Sequence, residues 1–310
     1  MKILITPRPF QTKGLNKIEK LRKGGYEVEY NNLDHRFTIE ELINRIEDAD
    51  AIITGNDLLN KEILGKAHKL KVISKYGVGL DNIDLEYANS RGIKVCKALE
   101  ANSISVAEMA IQLMLASSRS FYKLCDNSKK LIDKRIMGTE LFRKRLGIFG
   151  LGSIGKYVAK IAHSFGMEIV AYDPYINKDT LREYIDLVPF DEIVKTADYI
   201  SLHLPLEDST RYMFNDNVFS KMKSTAIIIN TARAGLIDCD SLYKALTNGN
   251  IAFAAEDVEL KERTKKIIEL DNYIILPHAA SFTKEADENT INITVKNVLE
   301  VLENSLKEGI

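Results

Sequence analysis

The sequence is short of the residues that staple, anchor or charge a chain. Of its 310 residues only three are cysteines, Cys96, Cys125 and Cys239, and none stands in a C-x-x-C arrangement. That speaks against a disulfide framework and for a reducing compartment, so a cytoplasmic location is expected. No pair of histidines or cysteines has the spacing of metal ligands, and no metal site is expected. Neither sign of charge is in excess: 43 Lys and Arg stand against 44 Asp and Glu, a formal net charge of −1. Such a balance gives no general attraction for nucleic acid or for acidic membrane surfaces, so neither is expected as a partner. Long apolar runs are missing as well. The longest candidate, Ile104 to Ala116, is interrupted by Glu108 and Gln112 and falls short of a membrane span. The opening MKILITPRP reads as a strand entering a fold, not as a signal peptide. No Pro- or Ser-rich linker and no low-complexity tract divides the chain.

What is present is ordinary globular material, 45% apolar and 28% charged, in a chain long enough for two domains with real cores. Short apolar runs alternate with helical patterns. Lys2 to Ile5, Glu27 to Tyr30, Ala51 to Ile53, Lys71 to Ile73 and Ile93 to Val95 read as strands. Gly14 to Lys23, Ile39 to Glu47 and Lys61 to Ala67 read as helices between them. Asn102 to Ser118 is apolar on most of its circumference and reads as a buried helix, and the more polar Phe121 to Lys134 as a surface one. Further strands are expected at Leu146 to Phe149, Glu168 to Tyr172, Tyr199 to Leu202, Ala226 to Ile229, Ile251 to Ala254 and Tyr273 to Leu276. Helices are expected at Ser153 to Phe165, Asn215 to Met222, Ser241 to Thr247 and Phe282 to about Ser305. Alternation of this kind implies parallel sheets covered by helices on both faces. The terminal helix has no strand of its own to cover. It is expected to return to the first unit and make that domain discontinuous.

Leu146 to Asp173 organises the rest. A buried apolar strand runs into Gly150, Gly152 and Gly155 in G-x-G-x-x-G spacing, then a helix, then a second strand that ends in Asp173. Each part suits a dinucleotide. The first glycine permits the tight turn, the second lets backbone approach the pyrophosphate, and the third lets helix and strand pack. The helix start offers its amides and positive dipole end to phosphate. Asp173 stands where a carboxylate accepts the adenosine ribose hydroxyls. It would repel a 2′-phosphate, which favours NAD over NADP.

Three stretches place polar residues at strand ends, where open α/β sheets hold their sites. In SKYGVGLDNID, Gly77 and Gly79 let the loop turn its amides toward an anion such as a carboxylate, or simply let it turn. In IIINTARAGLID, Arg233 follows a buried strand and is either a surface cation or a fork for a carboxylate or carbonyl. In IILPHAASFT, His278 follows Pro277 at the end of the last strand and can titrate near neutral pH. The other histidines carry less. His35, His68 and His163 lie in helices or polar loops, and His203, at a strand end, reads as a packed residue. A nicotinamide cofactor with an arginine and a histidine suggests hydride transfer to a ketone. The histidine supplies the proton and the arginine holds and polarises a 2-oxo acid.

With these motifs the chain resembles the D-2-hydroxyacid dehydrogenases of the phosphoglycerate dehydrogenase type. The likeness runs through KYGVGLDNID, NSISVAEMAIQLML, LGIFGLGSIG with its later YDPY, HLPLEDSTRYMFN, NTARAGLID, AAEDV and LPHAASFT, in the family's order. It implies an α/β fold of two Rossmann-like or flavodoxin-like domains with parallel sheets. An NAD domain, 99–281, would be inserted into a discontinuous substrate domain, 1–98 plus 282–310. It implies Arg233 as the substrate-orienting arginine and His278 as the acid/base. The third catalytic residue, a glutamate counted from Asp257, would be Glu262, which keeps the imidazolium available as an acid. Here the sequence departs from the pattern, because Arg263 stands where a proline normally follows, and Glu259 is a rival. Substrate contacts are implied at Lys75, Tyr76, Gly77, Val78 and Gly79. Lys75 would either meet a substrate phosphate or be a surface lysine. Cofactor contacts are implied at Val106, Gly150, Gly152, Ser153, Ile154, Gly155, Asp173, His203, Pro205, Thr210, Thr231, Ala232 and Asp257. A homodimer built on the helix from Asn102 is also implied, and the regulatory domain of longer relatives is expected to be missing. The scaffold also serves formate and phosphite dehydrogenases and NAD-sensing corepressors, which remain alternatives to a dehydrogenase of a small 2-hydroxy acid.

Overall fold

The computed structural model describes residues 1–177, 179 and 181–307. The chain forms two compact units, residues 1–102 with 282–310, and residues 103–281. The division falls at the start of the long apolar helix, four residues past the one read from the sequence. Residues 308–310, assigned to the substrate domain by that reading, lie outside the described residues.

The first unit holds five parallel strands, β1 (Lys2–Ile5), β2 (Glu27–Tyr30), β3 (Ala51–Thr54), β4 (Val72–Lys75) and β5 (Lys94–Lys97), in the order β2-β1-β3-β4-β5. Alternation along the central strands divides the core. Leu4, Ile52 and Ile73 pack with Leu42, Ile46, Ile63 and Leu64 of α2 (Ile39–Ile46) and α3 (Lys61–Lys66). The opposite face, Ile3, Ile5, Ala51, Ile53 and Val72, packs with Ile18 and Leu21 of α1 (Leu15–Lys23). It also packs with Ile291, Val295, Val298 and Leu302 of the terminal helix, α12 (Lys284–Lys307). Those four residues form one stripe at helical spacing, and burying each is worth about 1.5–3 kcal/mol. A helix without a strand of its own is thus held to this sheet, with Ser74 Oγ donating to the Thr294 carbonyl at 3.0 Å. α4 (Leu85–Ser90), capped by the Asp84 side chain, completes the unit and has no counterpart in the expected elements.

The second unit holds seven parallel strands: β6 (Arg145–Phe149), β7 (Glu168–Tyr172), β8 (Ile185–Leu187), β9 (Tyr199–Leu202), β10 (Ile227–Asn230), β11 (Phe253–Asp257) and β12 (Tyr273–Leu276). Their order is β12-β11-β10-β9-β6-β7-β8, so the chain reverses direction across the sheet beside β6. That switch point is where doubly wound sheets open a crevice at the carboxyl ends of their strands. α5 (Ser103–Ser118) and α7 (Ser153–Ser164) cover one face through Ala107, Ala110, Met114, Val158 and Ala162. α8 (Phe190–Thr196), α9 (Asp216–Phe219), α10 (Cys239–Thr247) and α11 (Lys265–Ile268) cover the other through Ile193, Val194, Val218, Phe219, Leu242 and Ile267.

Three differences from the expected elements have local causes. α6 (Phe121–Lys129) stops short of Lys134 because Leu131 turns into left-handed backbone at φ 58°. α9 is a single turn ending at Phe219, not at Met222. β8 was not expected, since a three-residue edge strand with one buried side chain carries too little pattern to be seen. Among the described residues no helix is long and apolar enough to cross a membrane.

Candidate active site

The nucleotide turn leaves β6 at Gly150, whose φ of 92° suits glycine and whose missing Cβ would lie 2.8 Å from the His203 carbonyl oxygen. At Gly155 a Cβ would meet the Gly150 carbonyl oxygen at 2.0 Å, so the helix packs on the turn only with glycine there. At Gly152 nothing lies within 4 Å, and the backbone there is open to an approaching group. Gly152 is also the N-cap of α7 and supplies no side-chain cap, so the positive end of the helix dipole faces the turn. Asp173 is fixed over this turn. Its Oδ2 accepts from the Leu151 amide at 2.8 Å and its Oδ1 from the Tyr175 amide at 3.0 Å. Each oxygen retains a lone pair for another donor.

At the ends of β9 and β10, polar atoms are left without partners among the described residues. His203 Nε2 meets Ser201 Oγ at 2.8 Å, whereas its buried Nδ1 has no hydrogen-bond partner among the described residues. Burial pushes the His203 pKa down to about 3, so the ring is neutral at physiological pH. Thr231 Oγ1, at the end of β10, is likewise buried and without a partner. Thr210 differs, because its hydroxyl donates to the Pro205 carbonyl at 2.8 Å and closes its own loop. Val106 is buried in α5, and Ala232 is held by its amide on Asn230 Oδ1 at 3.0 Å.

His278 follows β12 in left-handed backbone, at φ 54°, which a residue other than glycine adopts only under constraint. The constraint is Asp257. This carboxylate, 1% exposed at the end of β11, accepts the Ala279 and Ala280 amides, each at 2.7 Å. The imidazole is half exposed, with Nδ1 3.5 Å from Glu259 Oε1. Glu262, reached by counting from Asp257, lies on the 3₁₀ turn Leu260–Glu262. Its side chain makes no hydrogen bond or ion pair among the described residues. The carboxylate the structure brings to His278 is therefore Glu259. Arg263 accounts for the difference: its side chain is drawn inward onto Glu256, and the preceding residue faces solvent. Arg233 follows β10 in extended backbone with Nη1 on the Ala232 carbonyl at 2.9 Å. Arg233, Glu259 and His278 thus follow the neighbouring strands β10, β11 and β12 at one end of one sheet.

In the first unit the Gly77 turn leaves β4 with φ 137°. Lys75 just before it is 4% exposed, which removes the surface-lysine alternative of the two left open. Its ammonium donates to the Gly55 carbonyl and, at 2.7 Å, to Asn82 Oδ1. The stem is buried by the β4 register, and the head finds acceptors inside the unit. Tyr76 faces inward as well, with its hydroxyl on Asp287 Oδ1 at 3.1 Å, and burial raises its pKa. The Gly77 amide is taken by the Lys75 carbonyl at 3.0 Å. Among the described residues the amides of Val78 and Gly79 make no hydrogen bond, so these two are the amides of the loop open to an anion.

The buried pair Glu256 and Arg263, with Asn230 and Tyr273 around it, was not singled out in the sequence. A charged residue inside the apolar strand FAAED, followed by Arg263 in the place of a proline, was the available signal. No group of His, Cys, Asp and Glu among the described residues could hold a metal ion.

Comparison with known proteins places this architecture. Residues 111–280 match the model of the D-isomer specific 2-hydroxyacid dehydrogenase NAD binding domain, and the chain belongs to that family. It is 42% identical over 280 residues to D-3-phosphoglycerate dehydrogenase of Methanocaldococcus jannaschii, covering 88% of this chain and 53% of that one. It is 40% identical over 256 residues to hydroxypyruvate reductase of Thermotoga maritima, covering 80% and 83%. The structure of D-lactate dehydrogenase from Aquifex aeolicus, complexed with NAD and lactic acid, superposes with a TM-score of 0.84. It covers 99% of this chain and 97% of that one at 30% identity. The chain spans about half the length of the phosphoglycerate dehydrogenases it matches.

Proposed function

We propose that the protein is an NAD-dependent oxidoreductase that interconverts a small 2-hydroxy acid and its 2-oxo acid. The observation that carries this reading is the alignment of Arg233, Glu259 and His278 on three adjacent strand ends, in the unit that also holds the Gly150 turn and Asp173. The residues fit NAD on structural grounds. Gly152 is open and gives α7 no side-chain cap, and among the described residues His203 Nδ1 and Thr231 Oγ1 have no hydrogen-bond partner. Gly150, Gly152, Ser153, Ile154 and Gly155 would face the pyrophosphate, and Asp173 the ribose. Bound there, the nicotinamide supplies or accepts the hydride.

The protein's own residues do the remaining work. Arg233 donates to the carboxylate and carbonyl of the oxo acid and holds the carbonyl carbon in line. As that carbon is reduced, His278 gives its imidazolium proton to the forming alkoxide, and it takes the proton back in oxidation. Glu259, at ion-pair distance from Nδ1, orients the ring. The amides of Val78 and Gly79 suit a carboxylate. With Lys75 engaged by Gly55 and Asn82, that lysine shapes the loop in this reading and does not grip a substrate phosphate.

A homodimer accompanies the proposal. α5 and its neighbours expose Leu115 and Phe121 around an apolar groove of about 460 Å³ that Ile111 and Ile161 also line. A second copy of this face is a self-complementary cover for it. The balanced charge and free cysteines suit a cytoplasmic enzyme with no nucleic-acid or membrane partner.

The test is NADH consumption by the purified protein with pyruvate, glyoxylate, hydroxypyruvate and phosphohydroxypyruvate. One strongly preferred acid is expected. No consumption with any of the four, while NADH binds, would remove the reading.

A further inference from the structure

Glu256 and Arg263 are buried charges that the reaction itself does not use. The Glu256 side chain is 0% exposed and that of Arg263 3%. Every acceptor position of the carboxylate is filled. Oε1 accepts Asn230 Nδ2 at 2.9 Å and Arg263 Nη2 at 2.7 Å. Oε2 accepts Arg263 Nε at 2.7 Å and the Tyr273 hydroxyl at 2.6 Å. The guanidinium is bound side-on by its fork, and its remaining donors reach backbone: Nη2 to the Ala234 carbonyl at 3.0 Å, Nη1 to the Glu262 carbonyl at 3.1 Å. Asn230 closes the ring by donating to the Arg233 carbonyl at 3.0 Å.

The cluster therefore holds three main-chain points. Two lie past the end of β10, the carbonyls of Arg233 itself and of Ala234, and one, the Glu262 carbonyl, is in the loop that carries Glu259 beyond β11. Buried ion pairs are poor evidence for stability, since two apolar residues of similar size serve as well. What they add is geometry, because a forked cation accepts few arrangements. We propose that Glu256 and Arg263 are positioning residues for the catalytic groups. The clamp sets the backbone of Arg233 and of the loop that carries Glu259 beyond β11. The inference rests on the dehydrogenase reading above.

The test compares the full chain with Arg263→Lys and with the double variant Glu256→Leu/Arg263→Met, which removes both charges and leaves neither unpaired. Folding is checked by melting temperature and by NADH binding, which uses the Gly150 turn and not the clamp. On the preferred oxo acid, the folded double variant is expected to lose kcat by about 10- to 100-fold, as a displacement of reacting groups by an ångström would cause. KM for NADH should hold, and the pH–rate profile should shift as it does in Glu259→Gln. Arg263→Lys, which keeps the charge without the fork, should recover part of the loss. A folded double variant with kcat within about twofold of the parent and an unmoved pH profile would overturn the proposal while leaving the dehydrogenase reading intact; any such small change is far below the loss that misplacement brings. Silence of the parent chain on every oxo acid would overturn the reading, and the clamp's role with it.

Discussion

Two glycine turns in this molecule leave parallel strands in the same way and treat their polar neighbours in opposite ways. The Gly77 turn after β4 is enclosed by groups that satisfy one another: Lys75 on Gly55 and Asn82, Asn82 on the Asp57 carbonyl, and Asp57 on Thr54 and the Gly55 amide. The Gly150 turn after β6 is bordered by Gly152 with nothing within 4 Å and by His203, whose Nδ1, like Thr231 Oγ1 two strands away, has no hydrogen-bond partner among the described residues. A buried polar group without a partner costs about 1–3 kcal/mol, so a fold keeps such groups where a ligand completes them. The first turn is built as scaffold that leaves two amides for an anion. The second is built to be finished by a cofactor.

The contrast can be broken at several points. The largest effect is expected beside the second turn, from the chemistry its unit carries. His278→Ala should lower kcat by about 10²- to 10⁴-fold, the range of a lost general acid, with NADH affinity unchanged. Steady-state kinetics and a fluorescence titration of NADH measure both quantities. Glu259→Gln should follow, with a loss of about tenfold and an altered pH–rate profile, whereas Glu262→Gln should be close to silent. The reverse ranking would restore the residue obtained by counting from Asp257.

On the scaffold side, Lys75→Met should act on stability. It leaves the Gly55 carbonyl and Asn82 short of a donor, at about 1–3 kcal/mol, visible as a lower midpoint in urea. The preference between phosphorylated and unphosphorylated oxo acids should not change. If that preference collapses while stability holds, Lys75 belongs to the substrate.

The smallest effect concerns His203. Its folded pKa, about 3, lies below the ordinary value of 6.5, so the folded state binds fewer protons than the unfolded one. Its contribution to stability is complete above pH 6.5 and drains away as pH falls toward 3. Between about pH 7 and pH 5 the parent should lose about 1–2 kcal/mol more than His203→Asn, measured by parallel urea unfolding. Equal slopes would mean that the ring titrates as freely in the fold as outside it.

How far the sequence reveals all this varies with the range of the interaction. The dinucleotide turn is legible because much of what constrains it is local: Gly150 answers to its own positive φ, Gly155 to the Gly150 carbonyl and Asp173 to the Tyr175 amide. The return of α12 to the first sheet is legible by elimination, since its apolar stripe had no strand of its own to cover. The partner of His278 is not. It depends on where the Arg263 side chain goes, and that depends on Glu256, Asn230 and Tyr273 meeting across three strands. The direction of Lys75 is hidden for the same reason, because its acceptors Gly55 and Asn82 come from two other segments. β8 escapes notice through brevity alone.

The central claim is that this chain moves a hydride to the second carbon of an oxo acid while His278 moves the proton. The most direct measurement uses NADH deuterated at the transferring position, with the preferred oxo acid, and analyses the product. The account expects deuterium on the carbon bearing the new hydroxyl, in a single configuration, the D form, and none from His278→Ala on the same timescale. Product without deuterium at that carbon, or full transfer by His278→Ala, would contradict it.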